Sequence, residues 1–197
     1  VAACGALEAL RAARRKALRE HALHRREQLP AERRERLSVH IGGHLDALIA
    51  RLQPRTLGFC WPYRAEPDLR PWVQAWLAAA PARVAALPVV LERHAPMVFR
   101  VWTPGMPMPL DRHGIPHPAD GETVEPEVLL IPLNAFDDRG YRLGYGGGYF
   151  DRTLAGMRTI AVGVGCEIGR VASTLPQEHD QPMDWLVTEN GVAKPRA

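Results

Sequence analysis

Cysteine is scarce and scattered. Cys4, Cys60 and Cys166 are odd in number and far apart in 197 residues, which argues against a disulfide framework or a close zinc or redox pair and fits a reducing cytosol. Long apolar runs are absent too: none approaches the roughly 18 residues that span a bilayer, and the opening Val1 to Leu10 already contains Glu8. The expectation is a cytoplasmic chain with no membrane partner. Nothing is drawn from Val1, since the true start can lie upstream. An excess of one charge is also missing, because 25 Lys and Arg face 22 Asp and Glu for a net +3. That balance implies no nucleic-acid affinity by itself. There is no repeat, no low-complexity tract and no evident serine, cysteine or histidine nucleophile. The length suits one domain, or a tightly joined pair, with a real core.

What is present alternates between helix and strand signals. Leu7 to Gln28 has no proline and many good helix formers, with Arg11, Arg14, Arg15, Lys16, Arg19, Arg25 and Arg26 making it strongly basic. The plain reading of that face is solvation, partly neutralised by Glu20, Glu27, Glu32 and Glu35. Pro30 suits a first helical position, and Leu37, Ile41, Leu45, Leu48 and Leu52 give a second amphipathic helix. His40 and His44 share a face there but lack a third ligand, so a packed or exposed face is the better reading than a metal. Thr56 to Trp61 reads as a buried strand, followed by a loop and a helix with the stripe Leu69, Trp72, Val73, Trp76, Leu77. Further strands are expected at Arg83 to Val90, Met97 to Trp102, Val128 to Leu133, Thr159 to Val164 and Trp185 to Thr188, and a helix from Gly148 to Met157. Between them, Thr103 to Asp120 reads as a long irregular loop in which Met106 and Met108 suit an apolar ring or a plain connector equally; His113 and His117 stay unassigned. This order predicts a three-layer α/β domain with a mostly parallel sheet, helices on both faces and an N-terminal helical pair, residues 1–53 preceding a sheet over 54–197.

The stretch Arg142-Leu143-Gly144-Tyr145-Gly146-Gly147-Gly148-Tyr149-Phe150-Asp151-Arg152 stands out. It places four glycines in five positions, each costing roughly 1 kcal/mol against alanine in a helix interior. A flexible turn is the bland explanation. A phosphate cradle is the sharper one, since glycine lets backbone N–H groups converge on an anion and the following helix start adds its dipole. Arg142 offers a planar cation for phosphate, and Asp151 a hard oxygen of the kind Mg²⁺ takes beside a nucleotide. The stretch lacks a Walker A ending and the dinucleotide spacing.

Together with Ala135-Phe136-Asp137 and Gly140, this stretch resembles the signature of the 5-formyltetrahydrofolate cyclo-ligase family, with supporting similarity from about Arg15 to Val187. Phe150 stands where the family commonly has a second tyrosine, and Gly147 where some members carry lysine. The resemblance implies a Rossmann-like fold related to the ribose-phosphate isomerase and CoA-transferase group. It implies ATP-dependent conversion of 5-formyltetrahydrofolate to 5,10-methenyltetrahydrofolate through a phosphorylated formyl group. It further implies ATP contacts from Arg15, Lys16, Arg19, Arg142, Gly144, Gly146, Gly147, Gly148 and Tyr149, with Arg142 and Tyr149 catalytic. Trp61, Glu66 and Tyr145 would contact the reduced folate, and Asp151 and Asp180 the Mg²⁺. A monomer or a homodimer fits equally. Two other readings stay open: a non-catalytic nucleotide- or RNA-binding protein using the basic helix, and a family member acting on another carbonyl substrate.

Overall fold

The computed structural model describes residues 2–196, with side chains from Gly5 onward, so the side chain of Cys4 lies outside the described residues. Both long helices follow from composition. α1 (Ala2–Glu27) is built from alanine, leucine, arginine and other good helix formers, with no proline and no β-branched residue. Pro30 ends the run by biasing Leu29 away from helical geometry. α2 (Ala31–Leu52) takes Pro30 as its cap, at φ −56° and ψ 148°, and so begins one position later than the expected start at Pro30. It closes on Gln53 in the left-handed region, just ahead of Pro54.

β1 (Thr56–Gly58), α3 (Arg70–Ala78), β2 (Val84–Val89), β3 (Val98–Trp102), β4 (Val128–Pro132), β5 (Ala135–Phe136), β6 (Arg142–Leu143), α4 (Tyr149–Gly156), β7 (Ile160–Val164), β8 (Trp185–Thr188) and β9 (Gly191–Ala193) follow. The main sheet runs β3-β2-β1-β4-β7-β8-β9, with five parallel strands flanked by antiparallel β3 and β9. The mostly parallel three-layer architecture is therefore as expected. β1 is shorter than the expected Thr56 to Trp61, because Pro62 has no N–H for a ladder and the chain turns out of the sheet after Phe59. β9 and the hairpin β5–β6 were not anticipated, being too short to show a period.

Alternation sorts the core onto two faces. Leu57, Ala85, Leu87, Val128, Leu130, Val162 and Val187 pack with Ile41, Leu45 and Leu48 of α2 and Val73 and Trp76 of α3. Ala86, Leu129, Ile131, Ala161 and Leu186 face the other way, against Phe136 and against Phe150 and Leu154 of α4. The central strands are thus buried on both sides, which is why Val128 to Ile131 is apolar without a break. The first two helices do not act as one unit: α2 lies on β8 and β9, whereas α1 packs on β5 and a short turn at Glu167–Gly169. β1 sits between β2 and β4, so the chain leaves it to one side and returns on the other. Open α/β sheets hold ligands at such a switch, beyond the carboxyl ends of the strands.

Candidate active site

A cavity of about 910 Å³ opens at that place. One wall comes from the segment after β1, with Cys60, Trp61, Tyr63 and Glu66, and from Leu87, Pro88 and Val90 at the end of β2. Pro132 of β4 forms part of the floor, and the glycine stretch faces it with Tyr145, Gly146, Gly147, Tyr149 and Phe150. The tip of the long 103–120 loop, Asp111 to His117, completes the rim. An apolar body with a few convergent polar groups is what a ring-bearing small molecule needs.

Glu66 is the buried acid of this cavity, 9 % exposed. The Tyr145 hydroxyl donates to its Oε1 at 2.6 Å, the Tyr63 N–H donates to its Oε2 at 3.0 Å, and Arg26 Nη2 lies 4.0 Å away. Burial raises the Glu66 pKa, and these three neighbours oppose the rise only in part. Burial, with the charge of Glu66, likewise pushes the Tyr145 phenol up. Trp61 is half-buried, edge-on to Trp102 with ring centres 6.3 Å apart and under the guanidinium of Arg70 at 4.7 Å. Cys60 also reaches the cavity, but burial holds its thiol far up, so it is not a nucleophile.

The glycine stretch begins on the β5–β6 hairpin and ends as the cap of α4. Gly146 and Gly148 have φ of 94° and 65°, conformations glycine adopts freely. The backbone N–H groups of residues 145–148 have no partner among the described residues. Arg19 Nε donates to the Gly144 carbonyl at 2.6 Å, and its guanidinium lies 3.6 Å from where a Cβ of Gly146 would be. Burial and the charge of Arg15 both lower the Arg19 pKa, as expected where two cations are held close with too little counter-charge. Arg142 is 5 % exposed, donates to Asp151 Oδ1 at 3.1 Å, and keeps a buried Nε without a partner. Free N–H groups, crowded arginines and an unused buried donor all suit an anion.

Asp151 and Asp180 come to neighbouring places, since the N–H of Gln181 donates to Asp151 Oδ1 at 3.1 Å. Each is held by an arginine: Asp151 by Arg142, and Asp180 by Arg15 at 2.6 Å. Burial alone would raise the Asp180 carboxyl, but hydrogen bonds from Arg15 and the Gln177 N–H, with the charge of Arg15, hold it below its ordinary value. Among the described residues there is no cluster of three or more metal-binding side chains. The two carboxylates fit a cation that brings most of its own oxygen ligands, as Mg²⁺ on a polyphosphate does. Lys16 sits apart, exposed and 3.7 Å from Glu20. His40 is exposed, and His44 meets the Glu189 carbonyl at 3.2 Å, a packed contact.

Three features escaped the sequence reading. Arg26, read with a solvated basic face, is 2 % exposed and donates to Asn134 Oδ1, the Leu133 and Arg64 carbonyls and the Tyr145 hydroxyl. The available signal was its place one turn on from Ala22 and Leu23, both buried. Arg112, at the tip of the long loop, donates to the Tyr149 hydroxyl at 2.9 Å, and no local pattern marks it. His113 and His117 line the cavity beside it. Met106 and Met108, for which a ligand ring and a plain connector were equally open, pack against the core that contains α2 and α3 and line a smaller cavity next to Trp61.

The profile of the 5-formyltetrahydrofolate cyclo-ligase family matches residues 11–189. The chain is 29 % identical to the 5-formyltetrahydrofolate cyclo-ligase of Haemophilus influenzae over 173 residues, 82 % of this chain and 91 % of that one. It is also 29 % identical to the Escherichia coli K12 protein of the same name over 178 residues, 85 % and 96 % of the two chains. Among solved structures, the 5,10-methenyltetrahydrofolate synthetase of Aquifex aeolicus superposes with a TM-score of 0.79 at 31 % identity over 93 % of both chains. The Mycoplasma pneumoniae synthetase gives 0.71 at 22 % identity, covering 89 % of this chain and 98 % of that one, a likeness of fold.

Proposed function

The chain belongs to the 5-formyltetrahydrofolate cyclo-ligase family of enzymes, and on that premise we propose that it converts 5-formyltetrahydrofolate and ATP to 5,10-methenyltetrahydrofolate, ADP and phosphate. The observation that carries this reading is the meeting of an apolar, acid-bottomed cavity with a glycine stretch whose N–H groups are free. One half suits a pterin ring and the other a triphosphate.

The chemistry asks for activation of a poor leaving group. The formyl oxygen attacks the γ-phosphorus, the bond to the ADP oxygen breaks, and the formyl carbon becomes an iminium phosphate. The N10 lone pair then adds to that carbon, phosphate departs with the C–O electrons, and the N10 proton passes to solvent or phosphate. Such transfers need placement and charge neutralisation more than covalent help. The N–H groups of residues 145–148 hold phosphate oxygens, with Arg15, Arg19 and Arg142 as the cations and the Tyr149 hydroxyl beside them. Glu66 and Tyr145 orient the ring, and Trp61 lies along it. Asp151 and Asp180 would hold Mg²⁺, which would supply charge neutralisation on the nucleotide.

The engagement of several α1 arginines within the fold favours the enzyme reading over a nucleic-acid footprint. Arg11, Arg15, Arg19 and Arg26 all donate into the rest of the fold. Two cysteines, Cys60 and Cys166, are free thiols, which fits a cytoplasmic setting. No helix among the described residues is long and apolar enough to cross a membrane. The test is ADP formation with and without the formyl folate: omission should remove most of it, because water is a poor substitute for the formyl oxygen as phosphoryl acceptor. Equal rates would contradict the mechanism.

A further inference from the structure

The environment of Arg26 is unusual for a residue in a basic helix. Its guanidinium, 2 % exposed, ties together three separate segments. Nε and Nη2 donate to the Arg64 carbonyl at 3.1 and 2.9 Å, and Nη1 to Asn134 Oδ1 at 2.8 Å and the Leu133 carbonyl at 3.3 Å. Nη2 also donates to the Tyr145 hydroxyl at 2.9 Å. The segment it grips is strained, since Arg64 and Ala65 stand consecutively at φ 47° and 59°, where non-glycine residues rarely sit. Glu66 is the next residue.

Donor inventory fixes the direction of the chain that results. Arginine has only donors, so the Tyr145 oxygen accepts from Arg26 and its single O–H is free to point onward. It points at Glu66 Oε1, 2.6 Å away, while Oε2 accepts the Tyr63 N–H. Both carboxylate oxygens are therefore used as acceptors. A carboxyl proton on Glu66 would face a donor on either side. We propose that Arg26 is a positioning residue that sets the polarity of the Arg26–Tyr145–Glu66 chain and so presents Glu66 to the substrate as an acceptor, selecting a heterocycle with an N–H donor edge.

This inference rests on the reading that Glu66 faces the folate ring. The groups facing Glu66 are Arg26 from α1, Tyr145 from the glycine stretch and Tyr63 from its own loop, with the Cys60 thiol nearby. Burial drives the Glu66 carboxyl upward, and among the described residues Arg26 is the cation that opposes it. Without Arg26 the carboxyl protonates at a higher pH than in the wild type, so the acceptor form is lost over a wider range and returns as pH rises. A packing defect would instead lower function at every pH alike.

The test measures folate KM between pH 6 and 9 for wild type, Arg26→Met, Arg26→Lys, Tyr145→Phe and Glu66→Gln. Arg26→Met should raise the folate KM several-fold at the acid end of this range and recover toward pH 9, while the ATP KM changes little. Arg26→Lys keeps the charge and should keep a nearly flat profile. If Arg26→Met does not fold, Tyr145→Phe decides, since it breaks the same chain on a 42 % exposed residue and should show the same alkaline recovery. A pH-independent loss in both variants overturns the inference while leaving the site reading standing, provided Glu66→Gln loses folate. Normal folate binding by Glu66→Gln overturns both.

Discussion

Gly147 offers a clean perturbation of the phosphate side of the site. A methyl group there would land 2.8 Å from two ring carbons of Tyr149. Ordinary contact begins at 3.4 Å, so the ring must withdraw by about 0.6 Å. The hydroxyl lies farther from the pivot than those carbons and moves more, which breaks its 2.9 Å bond from Arg112. One such bond nets about 1 kcal/mol, or roughly fivefold in rate or affinity. Gly147 is exposed and does not require a positive φ, so alanine there should leave stability within about 0.5 kcal/mol. Gly147→Ala is therefore expected to lower kcat/KM for ATP about fivefold, leave the folate KM unchanged, and shift Tm by no more than about 2 °C. Steady-state kinetics on both substrates and a thermal melt decide. In a Tyr149→Phe background the substitution should cost nothing further. An unchanged kcat/KM for ATP, or an equal loss on the folate side, would refute the reasoning.

Other consequences are more direct. Arg142→Ala leaves Asp151 without its arginine in a mostly buried place, so it should cost about 3 kcal/mol of stability by denaturant melt and weaken ATP binding more than folate binding by calorimetry. Asp151→Asn and Asp180→Asn should each raise the Mg²⁺ concentration for half-maximal activity, measured as product formation in a magnesium titration; an unchanged requirement removes that residue from the cation site. The Asp180 pKa is depressed on folding, so its contribution is present above the ordinary carboxylate value and lost as pH falls through the lower folded value. Melts should therefore show acid destabilisation beginning below about pH 4 in wild type and blunted in Asp180→Asn.

Much of the fold was legible because periodicity survives burial. The unbroken run at Val128 to Ile131 announced a strand covered on both faces, and the stripe from Ile41 to Leu52 announced the helix that covers one of them. The glycine stretch was legible because four glycines need a reason. Arg26 was not, because a run of arginines on a helix normally points to water, and only the three-dimensional packing of α1 on the rest of the fold buries this one almost completely. Arg112 was hidden for a related reason: it reaches Tyr149 across 37 residues of chain, from a loop with no period. The ion pair that holds Asp180 is likewise long-range, spanning 165 residues, and residue type alone gave ligand chemistry without saying which arginine each acid faces.

The central claim is that the cavity and the glycine stretch bring two substrates, a formyl folate and ATP, together for one reaction. Mixing the protein with Mg-ATP and 5-formyltetrahydrofolate should produce the absorbance rise of methenyltetrahydrofolate, with one ADP released for each molecule formed. Absence of that rise with folded protein, or ADP released without it, would contradict the account.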